Sequence, residues 1–211
     1  SFVGAMLISF AIVTLIVIAS ERTGASRKWV ENWKPRQLPA VPMDGLLARL
    51  SSGKAQRVRA KLRRLRSLGV ERHVVTPDQV GAALQRLIEL HRLQWQGRKV
   101  TSEHLQPRFC EHLVRSMGPM VRSGDAVVTE YRLDDDVVAV DLTLQSRRLT
   151  GGYLYGAHPC LRERKADVAA MLLDACTQQA VSGGQSTLSL LRGNEPYKHH
   201  WRPEPVSNQR L

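Results

Sequence analysis

A chain of 211 residues with 43% hydrophobic and 24% charged residues has the balance of a folded protein, which excludes wholesale disorder and leaves room for one domain with additions or two small ones. Lys and Arg number 31 against 19 Asp and Glu, a formal charge of +12; this favours phosphates, nucleic acid or an anionic membrane face as partners. Cys110, Cys160 and Cys176 are an odd count without paired spacing, which argues against a disulfide scaffold or a cysteine zinc site and fits a reducing compartment.

The chain opens on Ser1 rather than Met, as a piece of a longer protein would. Residues 1–20 carry no charge, and 2–19 form an 18-residue, nearly all apolar run, just long enough to span a bilayer. Arg22, Arg27, Lys28, Trp29 and Trp33 follow it, as at a cytoplasmic interface. The expectation is attachment to the inner face of a membrane with the body in the cytoplasm. The β-branched Ile8, Ile12, Val13, Ile16, Val17 and Ile18 also suit buried strands left from a preceding domain. Pro35, Pro39 and Pro42 make 21–48 read as a linker. Residues 49–69 read as a basic amphipathic helix, with Val58, Leu62, Leu65 and Leu68 near helical spacing and Gly69 past its end. Nine cations and the single acid Glu71 lie within 49–72. That stretch is a candidate surface for anionic lipid or tRNA phosphates, beside the plainer reading of a solvated helix face.

Residues 70–205 read as the main domain. A short strand at 70–75 precedes a helix started by Thr76, Pro77 and Gln79, with Val80, Leu84, Leu87, Ile88, His91 and Trp95 on one face. A second helix opens at Pro107 and is expected to end near Gly118-Pro119. The period then becomes two: strands at 126–133, 137–145 and 149–157 form an antiparallel meander with a turn at Asp134-Asp135-Asp136. A helix at 166–180, stopped by Gly183-Gly184, leads to a last strand at 187–191; 206–211 is a tail. The order predicts an α/β (α+β) fold, a mixed, mostly antiparallel sheet flanked by helices.

The most specific segment is Leu191-Arg192-Gly193-Asn194-Glu195-Pro196-Tyr197-Lys198-His199-His200-Trp201. It resembles the carboxy-terminal Arg-Gly-x-Glu-x-Tyr-Lys-x-x-Trp-like signature of the CelD/BcsL-type acetyltransferases, the BioF-like branch of the GNAT superfamily. Residues 61–75, Leu90-His91-Arg92-Leu93-Gln94-Trp95 and Gly152-Tyr153-Leu154-Tyr155 are similar and come in the family's order, so the resemblance covers roughly 46–203. It implies a GNAT-like fold, acetyl-CoA or another acyl-CoA as donor, and an amine acceptor, with an amino sugar of polysaccharide or envelope biosynthesis as one candidate. The related FemAB-type enzymes use aminoacyl-tRNA instead. Both that chemistry and a non-catalytic binding module on this fold stay open.

Acyl transfer to an amine needs a base, donors for the oxyanion and an acid for the leaving thiolate. Glu195, in the signature, is the candidate base; its plainer role is a surface turn residue. Asp141, on the more polar strand face with Ala139 and Thr143, is a second catalytic candidate, or a solvent-facing carboxylate. Tyr197 is a candidate acid, or packs with its hydroxyl satisfied locally. Arg162, Arg164 and Lys165 precede a helix N-terminus, where pyrophosphate would sit, but without the Ser-Pro-Gly-like turn that family members tend to carry. Lys198 is a further cation for phosphate. Tyr153, Tyr155, His91, Trp95 and Trp201 are candidates for the acceptor pocket, with packing as the alternative for each. His199-His200 are adjacent, and His104, His112 and His158 lack metal spacing, so no metal is expected.

Overall fold

Residues 35–97, 103–191 and 196–206 are described by the structure, a computed structural model. The apolar run at 2–19 and Glu195 lie outside the described residues. In chain order come β1 (Arg36–Pro39), α1 (Met43–Ala48), α2 (Ser52–Ser67), β2 (Glu71–Val74), α3 (Val80–Trp95), a 3-10 turn (Glu103–Leu105), α4 (Pro107–Ser123), β3 (Ala126–Leu133), β4 (Asp136–Gln145), β5 (Leu149–Ala157), α5 (Cys160–Glu163), α6 (Val168–Ser182), β6 (Thr187–Ser189), α7 (Pro196–His199) and β7 (Glu204–Pro205).

Alternation carries the meander. Asp134 and Asp135 both take left-handed backbone angles, φ 53° and 67°, which matches the twist of a tight hairpin between β3 and β4. Helix boundaries differ from the sequence expectation at three places. The stretch read as a linker contains β1 and α1, because Pro35 and Pro42 flank the strand and Pro39 is its last residue, so none interrupts it: Leu38 pairs with Leu188 of β6, and Gln37 with Glu204 of β7. Residues 76–79 form a turn, in which the Gln79 amide donates to the Thr76 carbonyl at 3.0 Å, so α3 starts at Val80. Helix α4 runs through Pro119 and ends at Gly124, whose φ of 79° supplies the left-handed cap. One missing N–H does not end a helix whose apolar face is already packed.

The strands form one sheet in the order β2-β3-β4-β5-β6-β1-β7. Helices α3 and α4 cover one face, where Leu84, Leu87 and Leu113 pack on Val128, Val140, Leu142 and Leu154. Helices α2 and α6 cover the other, where Leu62, Leu65, Ala170 and Met171 meet Tyr131, Ala139 and Ala157. A third cluster joins Leu38 and Leu188 to Leu46, Leu47 and Trp201. Glu130, 3% exposed, is tied to Arg86 of α3 and accepts from Arg132 at 3.1 Å, so this buried carboxylate is paired as burial requires.

Candidate active site at the wedge between β5 and β6

Strands β5 and β6 run parallel but pair only at Leu149↔Thr187, Thr150↔Leu188 and Gly151↔Ser189. A Cβ on Gly151 would lie 2.9 Å from Ser189 Cβ, so the strands touch there and part beyond it. At the parting point the β4–β5 register shifts between Leu142 and Thr143, which face Leu154 and Gly152. Tyr153 is left without a partner on β4, a bulge that bends the strand. Gly152 and Tyr153 are exposed. The result is a wedge whose wall is the far half of β5.

Helix α3 reaches that wall. His91 Nδ1 lies 2.7 Å from the Tyr155 carbonyl, and Gln94 Oε1 accepts from the Ala157 amide at 3.1 Å. Tyr155 and Ala157 are two apart, so their backbone groups point to the same edge, the one β6 has left. A carbonyl can only accept, so His91 carries its proton on Nδ1 and keeps a lone pair on Nε2. Burial pushes the imidazole below its ordinary value, with the nearby His104 adding in the same direction and the Tyr155 bond opposing. His91 is therefore a neutral base at pH 7. Its ring meets Trp95 at 6.1 Å and His104 at 5.5 Å, edge-on in both cases. Helix and strand come this close because residue 156 is glycine: a Cβ there would sit 2.8 Å from Leu90 Cβ and closer still to the Leu87 carbonyl and His91 amide.

Asp141 lies under α6 rather than along a groove, 6% exposed. Thr143 donates to its Oδ2 at 3.0 Å, while Oδ1 has no hydrogen-bond partner among the described residues. Burial pushes its carboxyl up to about 6, against the pull of Thr143, Tyr131 and Arg72. The Tyr131 hydroxyl approaches it without a well-formed hydrogen bond and is itself pushed far up by burial. Burial pushes the Cys176 thiol up to about 12, which makes it inert as a nucleophile. Asp141 and His91 are thus on opposite faces of the sheet.

The loop before α6 spends its amides on itself. Arg162 and Glu163 donate to the Pro159 carbonyl, Arg164 to Cys160, Lys165 to Arg162 and Ala166 to Leu161. Asp167 caps α6 by accepting from the Ala170 amide, and its Oδ2 lies 2.6 Å from Lys61 Nζ. The helix N-terminus already holds a carboxylate. Arg164 reaches Asp134 at 3.3 Å; Arg162 and Lys165 are exposed. A phosphate here would meet side-chain cations more than backbone donors, in keeping with the missing glycine turn.

Lys198 is 3% exposed, with Nζ 5.9 Å from the centre of the Tyr197 ring, and Tyr197 is 47% exposed. Trp201 packs in the third cluster. Tyr155 is half-buried against the α2–α6 cluster. The structure brings His91 and Trp95 of α3 together beside the β5 backbone, with the Tyr155 side chain on the other face of the sheet and Tyr153 exposed at the bulge. Gln94 was not singled out by sequence; its signal was its place inside the Leu90-to-Trp95 segment, one helical turn after His91. Among the described residues no group of three His, Cys, Asp or Glu could hold a metal ion, and no helix is long and apolar enough to cross a membrane.

A family model described as an acetyltransferase (GNAT) domain matches residues 52–199. No curated protein matches significantly. Among solved structures, FemX is similar with a TM-score of 0.61 at 11% identity over 82% of this chain and 59% of that one. A conserved protein of unknown function from Bacteroides thetaiotaomicron gives 0.59 at 13% identity over 82% and 56%. L-PGS from Bacillus licheniformis gives 0.51 at 13% identity over 92% and 69%. At these identities the likeness is one of fold. The chain spans somewhat more than half the length of the first two.

Proposed function

The chain belongs to the GNAT acetyltransferase domain family, matched over residues 52–199, and from that premise we propose that it is an N-acyltransferase moving an acyl group from CoA to an amine. The observation that carries this reading is the wedge, where β5 leaves β6 after Gly151 and runs on with an exposed bulge at Tyr153. A thioester arm can lie there. Arg162, Arg164 and Lys165 would take its phosphates, with Lys198 as a further cation. His91 Nε2 takes one proton of the acceptor ammonium, the amine nitrogen bonds to the acyl carbon, the carbon–sulfur bond breaks as Tyr197 protonates the departing thiolate, and the second proton shed by the new amide nitrogen returns through solvent to the Tyr197 oxygen. Glu195, in the signature segment, is the other candidate base. Asp141 belongs to the buried support of the sheet. Tyr153, Tyr155, Trp95 and Trp201 line or back the acceptor side. The signature's CelD/BcsL likeness supports an amino sugar of polysaccharide or envelope biosynthesis as acceptor, handled at the cytoplasmic face with residues 2–19 as the attachment.

A second reading, transfer from aminoacyl-tRNA, is favoured by one observation: Asp167 and the self-bonded loop occupy the place of a phosphate cradle. Residues 49–72 would then meet the tRNA.

The test is melting of the full chain with acetyl-CoA, for the natural protein and His91→Gln, alongside turnover on an amino-sugar acceptor. Glutamine can still donate to the Tyr155 carbonyl but has no basic lone pair. Saturating donor, about 100-fold over its dissociation constant, should stabilise both proteins by about 2.7 kcal/mol, while turnover falls about 100-fold or more in the variant. No shift at millimolar acetyl-CoA would overturn the acyl-CoA reading; unchanged turnover would remove His91 as base.

A further inference from the structure

A second concavity lies away from the wedge, over β2 and β3 and between α2 and α6. It encloses about 350 Å³, at the lower end of the range for small-molecule sites. Leu62, Leu65, Val70, Met171 and Ala175 give it an apolar floor. Arg66 and Arg72 stand at its wall, exposed, with no ion pair or side-chain hydrogen bond among the described residues. Asp174 faces them and is held by Gln178 Nε2 at 2.8 Å. At the base is Tyr131, 2% exposed, its hydroxyl without a well-formed partner. An adjoining hollow of about 240 Å³ shares Leu62, Arg66 and Asp174.

Nothing in the acyl-transfer reading uses these groups. At the wall two guanidiniums face the one carboxylate of Asp174, which suits an anion there, while the Asp141 carboxyl is buried behind Tyr131 and also feels Arg72. A planar carboxylate matches the guanidinium fork. The apolar floor has no use for a bare inorganic anion but would stabilise a hydrocarbon body at about 25 cal/mol per Å² buried. We propose that the crevice between α2 and α6 is a binding site for a small monocarboxylate with an apolar body, held by Arg66 and Arg72 above the apolar floor. It is independent of the donor wedge, two strands away.

The test is calorimetric titration of the full chain with octanoate, inorganic phosphate and sodium chloride at matched ionic strength. The variants are Arg66→Gln with Arg72→Gln, Tyr131→Phe, and Arg57→Gln on the outer surface of α2. The expected result is saturable octanoate binding, weakened about tenfold or more in the double variant and unchanged in Tyr131→Phe and in Arg57→Gln. The double variant alters exposed side chains only, so its fold is checked by its melting temperature. The proposal is overturned if octanoate gives no saturable heat, if the double variant binds it equally well, or if phosphate binds as tightly as octanoate.

Discussion

Asp141 is a carboxyl placed where its charge is expensive. Among the described residues its one well-formed side-chain bond is from Thr143, and burial outweighs the help of Thr143, Tyr131 and Arg72, raising it from 3.8 to about 6. The native state therefore keeps a proton that the unfolded chain releases at lower pH. The resulting stability is present below about pH 4 and is lost as pH rises through 6, about 3 kcal/mol in all at 1.36 kcal/mol per pKa unit. Asparagine has nearly the same shape and never ionises. Asp141→Asn should raise stability at pH 8 by up to about 3 kcal/mol and change it little at pH 3.5. Urea unfolding at the two pH values checks this. An equal effect at both would mean that the carboxyl does not titrate where its burial puts it. The neutral His91 has the reverse logic. Lowered by burial, it resists protonation, and its contribution is lost as pH falls below the ordinary histidine range.

Helix α3 and strand β5 form the unit that builds the wedge wall, and one glycine sets their distance. Gly156→Ala would drive a methyl into the backbone of α3 at Leu87 and His91. The backbone must move, and a loss of about 3 kcal/mol is expected, the upper end for overpacking. Gly152→Ala, on the same strand with nothing within 4 Å of the added carbon, should cost less than about 1 kcal/mol. Equal urea midpoints for the two variants would refute this packing. The elements themselves were largely legible: period-two alternation gave the meander, and helical spacing put His91 and Trp95 on the inward face of α3. β1 was hidden because its prolines read as breaks, and the run of α4 past Pro119 because packing outweighs one lost donor. The wedge could not be read, since it depends on where two strands stop pairing. Nor could the partner of His91, whose carbonyl is 64 residues away along the chain. Tyr131 and Glu130 looked like ordinary strand residues; only the helices laid over them make one an orphan and the other a paired buried charge.

At the scale of the whole molecule, the excess positive charge is concentrated in α2, whose inner edge is part of the core and whose exposed side chains include Lys54, Arg57 and Arg63. The same helix also closes the N-terminal end of α6, since Lys61 is paired with Asp167. Charge recruited to seal that end cannot also cradle a pyrophosphate, whereas the outward cations remain available to a long polyanion. The two readings of the donor therefore part on salt. If α2 meets tRNA through about five phosphates, log affinity should fall with log salt at a slope near −4, a loss of roughly two orders of magnitude between 50 and 200 mM. Replacing Lys54, Arg57 and Arg63 together by Gln should then flatten the slope by about 2 to 3 and leave the acetyl-CoA melting shift unchanged. Fluorescence anisotropy of labelled tRNA across a salt series measures it. A shallow slope that the triple variant does not alter would take α2 out of nucleic-acid binding and leave it the pairing at the α6 terminus.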